Sequence, residues 1–115
     1  MEEVFGKDAI ESMINECPKG QEHIMEYLES YCFGDFFTRR GLTLQIRALM
    51  TFCLLTSMGG CDKQMITYAH ACKRLGTTKQ EMVGAVTAML PYIGFPRSFN
   101  GLNAINDAYS EKLSM

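Results

Sequence analysis

Residues 44–58, in the middle of the chain, read LQIRALMTFCLLTSM and give the clearest indication of the fold. Apolar side chains would fall on nearly every face of a helix built from these residues. They are Leu44, Ile46, Leu49, Met50, Phe52, Cys53, Leu54, Leu55 and Met58. A helix that is apolar all round is typical of a buried position. We therefore predict that Leu44–Met58 is a central buried helix.

A second segment, Met82–Ile93, has the same apolar character. The sequence Thr78-Lys79-Gln80-Glu81 just before it matches a capping box, in which Thr78 caps the first turn and Glu81 reaches back to it. Pro91 lies late in the segment. Because proline lacks the N–H group that a helix interior needs, we expect a kink or an early end there.

The rest of the chain shows shorter amphipathic patterns. Apolar residues recur at helical spacing over residues 4–17, 24–32 and 99–113, and no run alternates in the manner of a strand. Glycine and proline mark the boundaries between the segments. We predict six helices, no strand and one all-α domain that covers residues 1–115.

Two helices that are apolar on every face are difficult to cover with the four amphipathic ones. A second subunit is the simplest source of additional cover. The pattern therefore predicts a homo-oligomer. The alternative is a self-contained bundle with a large core.

Composition narrows the range of functions. Apolar residues make up 47% and charged residues 21% of the 115 residues, and the formal net charge is −2. A nucleic-acid-binding domain would show a basic stripe, and a protein built to adsorb on anionic membranes would be basic too. No segment has the roughly 20 apolar residues that a membrane span needs. The N-terminus, Met1-Glu2-Glu3, has the wrong charge for a signal peptide, so we expect a cytoplasmic protein.

Five cysteines are present, and none forms a Cys-x-x-Cys pair. In a reducing compartment such residues are usually free thiols that pack as small apolar side chains. Only His23 and His70 are available as imidazole ligands. We therefore expect no metal site.

The segment that follows Gly59-Gly60 offers the first candidate for chemistry. It brings Cys61 to the first turn of a helix, where the unpaired backbone N–H groups favour a thiolate, although Asp62 opposes it. Tyr68 lies about 20° from Cys61 around such a helix, and Met65 and Cys72 share the stripe. The stripe is either a functional Cys61 site or core packing. His70 falls on the opposite face, so it cannot pair with Cys61 within one helix.

Arg47 is the second candidate, because it interrupts an apolar helix. A buried guanidinium needs a carboxylate or a ligand anion. Asp35, which lies among aromatic residues, is a plausible partner. The pair either ties two helices together or forms part of a site for a substrate carboxylate.

Several pieces of the sequence also match a known pattern in order and spacing. They are Tyr31–Leu42 (YCFGDFFTRRGL), Leu44–Leu55 with Arg47, Gly59-Gly60-Cys61, Leu75–Glu81, Tyr92–Pro96 and Asn103-Ala104. From about Tyr31 to Ala108, the chain resembles the carboxymuconolactone decarboxylase family, which includes the alkylhydroperoxidase-D-like proteins. The resemblance implies an all-α bundle whose central helical hairpin packs between subunits, commonly in trimers or hexamers.

The resemblance implies two possible activities. Peroxidase-type members carry a Cys-x-x-Cys-x-x-x-His motif and an upstream Glu. Here Cys61 matches the first cysteine, while Gln64, Tyr68 and Leu49 stand where the second cysteine, the histidine and the glutamate would be. Decarboxylase-type members need no cofactor, and the resemblance gives Arg47 the role of binding a substrate carboxylate and Tyr68 that of protonating carbon.

We therefore expect a cofactor-independent decarboxylase or lyase that acts on a small carboxylated lactone-type compound. Its expected catalytic residues are Cys61 and Tyr68, and its expected substrate-binding residues are Arg47 and Asp35. The first alternative is a thiol-dependent hydroperoxide or disulfide reductase, with peroxiredoxin-type activity at Cys61. The second is a non-catalytic binding or assembly subunit.

Overall fold

The computed structural model describes residues 2–36 and 39–110, apart from the side chain of Asp35. These residues form seven α-helices and one π-helical segment, and no strand occurs among them. In chain order they are α1 (Glu2–Phe5), α2 (Lys7–Glu16), α3 (Glu22–Tyr27), the π-helical segment (Leu28–Phe36), α4 (Leu44–Met58), α5 (Asp62–Arg74), α6 (Lys79–Ile93) and α7 (Phe95–Tyr109). The predicted all-α class is confirmed.

Local capping explains the ends of the central helices. Thr43 is the N-cap residue of α4, and its hydroxyl accepts a hydrogen bond from the N–H of Ile46 at 3.2 Å. The predicted capping box of α6 is present: Thr78 and Glu81 exchange two hydrogen bonds, at 3.0 and 3.1 Å. The helix continues through Pro91 and ends at Ile93, so the early end is not observed.

The N-terminal third differs from the predicted pattern. The apolar segment over residues 4–17 is two helices, because Gly6 between them adopts a φ of 85°, a left-handed conformation that favours glycine. A Cβ atom on Gly6 would lie 3.2 Å from the guanidinium of Arg74. The next predicted helix, residues 24–32, begins as α3 and widens into π-helical turns. Seven α-helices therefore stand where six were expected.

The main core forms where α5 packs against α4 and α7, and α6 packs against α7. Its buried residues are Ala48, Phe52, Met65, Ala69, Cys72, Met82, Val86, Ala104, Ile105 and Ala108. A smaller cluster of Val4, Phe33 and Ala71 joins α1 and the π-helical segment to the outer side of α5. Helix α5 is thus the element that both clusters share.

Helix α4 is not buried all round in the single chain. Only Ala48, Phe52 and Thr56 are buried. A stripe of four large apolar residues on the same helix is exposed, from 44% at one end to 64% at the other. They are Ile46, Met50, Leu54 and Met58. Within the single chain, α4 is therefore covered on one side only, by α5, α6 and α7.

Within residues 2–36 and 39–110, none of the helices combines the length and the apolar character that crossing a membrane requires.

Candidate functional site

A cavity of about 370 Å³ lies between α5 and the helices of the N-terminal third. Apolar side chains make up much of its wall, among them Phe5, Met25, Leu28 and Phe33. The face of α5 that borders the cavity contributes Lys63, Gln64, Thr67 and Tyr68. An apolar chamber with a few polar groups along one side is typical of a small-molecule site.

Tyr68 is the predicted catalytic residue that lines this cavity. Its ring contacts that of Phe5 edge to face, with centroids 5.2 Å apart. Burial raises the pKa of its hydroxyl well above the usual value, and the thiols of Cys32 and Cys72 raise it further. Among the described residues, the hydroxyl has no hydrogen-bond partner. Tyr68 therefore keeps its proton and can donate it to a bound molecule.

The sequence analysis missed the charged pair at this cavity. Lys63 Nζ lies 3.5 Å from a carboxylate oxygen of Glu16, and both residues line the cavity. The pair joins the end of α2 to the first turn of α5. Because its side chains are 82% and 64% exposed, it adds little to stability, and either charge remains available to a ligand. The pair joins residues 47 positions apart in the sequence, and no local sequence signal encodes it.

Cys61, the other predicted catalytic residue, lies about 10 Å from Tyr68 along the helix. It is the half-buried N-cap residue of α5, and its thiol donates to the carbonyl of Gly59 at 3.4 Å. Cys61 is not among the described residues that line the cavity. The guanidinium of Arg97 approaches this turn closely, because a Cβ atom on Gly59 would lie 2.9 Å from its Nε.

The remaining members of the Cys61 stripe are core residues. Met65 and Cys72 are fully buried between α5 and its neighbours. Burial raises the pKa of the Cys72 thiol to about 12, and the nearby Cys53 adds to the effect. A thiol that stays protonated at neutral pH is a poor nucleophile.

Arg47 is also absent from the described residues that line the cavity. Its Nε donates to the carbonyl of Leu42 at 3.3 Å, and its two terminal nitrogens donate to the carbonyls of Phe36 and Arg39. The guanidinium thus holds the connection between the π-helical segment and α4. The side chain of Asp35 lies outside the description, so the predicted Arg47–Asp35 pair stays a prediction.

His70 lies on α5. It is exposed, and its Nε2 lies 3.1 Å from a carboxylate oxygen of Asp107 on α7. All five cysteines are free. In the described part of the chain, no three His, Cys, Asp or Glu side chains are grouped as metal ligands would be.

Comparison with known proteins identifies the family of the chain. The sequence model of the "Carboxymuconolactone decarboxylase family" matches residues 22–107. The chain is also similar to a 4-carboxymuconolactone decarboxylase of Acinetobacter baylyi, with 21% identity over 109 residues, which cover 95% of this chain and 81% of that protein. The matched region contains every predicted site residue and most of the helical bundle. The chain belongs to the carboxymuconolactone decarboxylase family.

Proposed function

We propose that the protein is a cofactor-independent carboxy-lyase that acts on a small carboxylated lactone-type compound bound in the cavity beside α5. The observation that carries the proposal is the position of Tyr68, which lines the cavity and whose hydroxyl has no partner among the described residues. The family assignment and the name of the Acinetobacter baylyi relative support the reaction type.

The cavity suits a ring that carries a negative charge. Phe5, Leu28 and Phe33 provide apolar contacts for the ring, whereas the ammonium group of Lys63 provides a positive charge at the cavity wall. Glu16 now holds that ammonium. A substrate carboxylate would replace Glu16 on Lys63 at small cost, because the pair is exposed to water.

The reaction requires a proton at carbon. When the bond between the ring carbon and the carboxylate breaks, CO₂ leaves and the electron pair is delocalised through the ring double bond onto the lactone carbonyl as a conjugated enolate. The enolate carbon then takes the proton of the Tyr68 hydroxyl, and the phenolate recovers a proton from water. The raised pKa of Tyr68 keeps the hydroxyl protonated at neutral pH, so the proton is present when the basic carbon forms.

The experiment measures CO₂ release from 4-carboxymuconolactone by the purified protein. Tyr68→Phe removes only the hydroxyl, and we expect it to lower kcat by about 10²- to 10⁴-fold. Tyr92→Phe is the matched control, since Tyr92 is exposed and is not among the described residues of the cavity wall. Equal turnover by both variants would remove Tyr68 from the mechanism, and no release by the wild type would refute this substrate.

Cys61→Ser separates this proposal from thiol chemistry. Because Cys61 lies away from the cavity, we expect the substitution to leave CO₂ release unchanged. If Cys61→Ser instead abolished a thiol-dependent reduction of an organic hydroperoxide by the wild type, the reductase function would replace the lyase function.

We also propose that the protein is a homo-oligomer that covers the exposed stripe of α4 (Ile46, Met50, Leu54 and Met58), in the trimer or hexamer that the family resemblance implies. Four large apolar side chains on one helix face form a surface that monomeric proteins rarely leave exposed.

The five free cysteines support a cytoplasmic location, since thiols persist in reducing compartments.

A further inference from the structure

The wall of the large cavity contains a polar side chain that the proton transfer from Tyr68 does not involve. Gln64 lies on α5 and lines this cavity. In the sequence, it stands where peroxidase-type members of the family have a second cysteine. Its carboxamide has no hydrogen-bond partner among the described residues. Its N–H groups are therefore free to donate to a molecule in the cavity.

Gln64 lies one helical turn before Tyr68. Four residues of an α-helix span about 6 Å along the axis, and their side chains lie about 40° apart around it. Side chains at this spacing are neighbours on one face of a helix, and both of these line the cavity. A small ring that lies over this face meets the Tyr68 hydroxyl and the Gln64 carboxamide together.

The other polar groups of the described wall are less suited to bind a neutral oxygen near Tyr68. The hydroxyl of Thr67 donates to the carbonyl of Lys63 at 3.1 Å, so its proton is already in use. Lys63 carries the positive charge that suits a carboxylate. Gln21 also lines the cavity, but it is the N-cap residue of α3, on another wall. Gln64 is therefore the neutral donor on the same helix face as Tyr68.

The proposed reaction needs a donor at the lactone carbonyl. When CO₂ leaves, the electron pair of the broken bond is delocalised onto the carbonyl oxygen, and it returns to the ring when carbon takes the proton of Tyr68. Hydrogen bonds to a charged acceptor are roughly twice as strong as those to a neutral one. A donor at this oxygen therefore stabilises the enolate more than it stabilises the bound lactone.

We infer that the carboxamide of Gln64 donates a hydrogen bond to the carbonyl oxygen of the bound lactone, while Lys63 binds its carboxylate and Tyr68 protonates its carbon. This inference rests on the proposed lyase function and narrows its substrate class. The ring must carry a carbonyl group as well as a carboxylate, because a cyclic acid without the carbonyl has no acceptor for Gln64.

Two unreactive carboxylates test the contact without turnover. The compound 5-oxotetrahydrofuran-2-carboxylate carries the lactone carbonyl, whereas tetrahydrofuran-2-carboxylate keeps the ring and the charge but lacks the carbonyl. Both are titrated into the full-length protein, with the NMR signals of Tyr68 as the readout. Gln64→Met, which keeps the length and helix propensity of the side chain, should weaken binding of the lactone about fivefold and leave binding of the cyclic ether unchanged.

Gln80→Met is the matched control. Gln80 is exposed on α6 and is not among the described residues that line the cavity, so the same substitution there should leave binding of both compounds unchanged. Gln64 is exposed as well, and Gln64→Met should unfold at the same urea concentration as the wild type.

Turnover of 4-carboxymuconolactone separates this inference from the lyase function. Gln64→Met should lower kcat by about 10²-fold and raise KM by about fivefold at most, because the contact is stronger in the enolate than in the substrate. If the wild type releases no CO₂ but binds the lactone more tightly through Gln64, the lyase function fails and the Gln64 contact holds. If Gln64→Met turns over like the wild type while Tyr68→Phe does not, the Gln64 contact is refuted and the lyase function holds.

Three binding results would also overturn the inference. In the first, Gln64→Met weakens binding of the lactone and the cyclic ether equally, or of neither. In the second, Gln21→Met rather than Gln64→Met removes the preference for the lactone. In the third, neither compound shifts the signals of Tyr68.

Discussion

A Cβ atom on Gly101 of α7 would lie 2.8 Å from the Cγ2 methyl of Thr56 on α4. Thr56 cannot easily move away, because it is buried and its hydroxyl donates to the carbonyl of Phe52 at 2.8 Å. Because Gly101 has no side chain, α7 can pack closely against α4 at Thr56.

The contact predicts a destabilising effect of a single methyl group. Gly101→Ala should lower the free energy of unfolding by about 1–3 kcal/mol through overpacking against Thr56. Gly84→Ala is the matched control on α6, since a Cβ atom there meets nothing within 4 Å. The control should gain about 0.5–1 kcal/mol from helix propensity. Urea denaturation measures both, and a stabilised Gly101→Ala variant would contradict the close packing.

The structure also predicts the effect of changing Arg47. Arg47→Gln loses the hydrogen bonds to the carbonyls of Phe36, Arg39 and Leu42. We expect the free energy of unfolding to fall by about 1.5–3 kcal/mol, and the KM for a carboxylated substrate to stay unchanged. Arg40→Gln, on the exposed side of the same connection, should change neither. A raised KM with unchanged stability would restore the predicted substrate-binding role of Arg47.

Much of the fold could be predicted because the signals for it are local. The capping box of Thr78 and Glu81 and the glycines that follow α4 and α6 define the helix ends without help from the rest of the chain. The break at Gly6 and the π-helical turns after α3 could not be predicted, because they depend on packing against α5. For the same reason, the sequence pattern indicated Tyr68 but not its neighbour Lys63, whose role depends on where α2 lies.

Alkaline pH should destabilise the protein through its core thiols. Burial raises the pKa of Cys72 to about 12, whereas an unfolded thiol titrates near 8.5. Below about pH 8.5 the thiol is protonated in both the folded and the unfolded chain, and the full free energy of unfolding is present. As the pH rises from 8.5 toward 12, the unfolded chain releases the proton first, so the free energy of unfolding falls. Each such thiol contributes a slope of about 1.4 kcal/mol per pH unit, and Tyr109, whose pKa burial raises to about 12, adds to the loss above pH 10.

Denaturation curves at several pH values between 7 and 11 measure this loss. Cys72→Ala should be less stable at pH 7, because it leaves a small void in the core, but its stability should fall less steeply with pH. Cys17→Ala, which changes a residue outside that core, should keep the steep fall. Equal slopes for the wild type and Cys72→Ala would contradict the assignment of the effect to this thiol.

The exposed stripe of α4 predicts what a charge does to assembly. Leu54 is 58% exposed in the single chain and lies between Met50 and Met58 on the same face. In a homo-oligomer that covers this face, Leu54→Glu places a carboxylate in an apolar interface, where it has no partner. We expect the variant to run as a monomer in light scattering after size exclusion, while the wild type runs as a trimer or hexamer. Gln45→Glu adds the same charge at an exposed polar position of α4 and should leave assembly intact. A monomeric wild type at micromolar concentration would show that α4 needs no second subunit, and the self-contained bundle would then be the correct description.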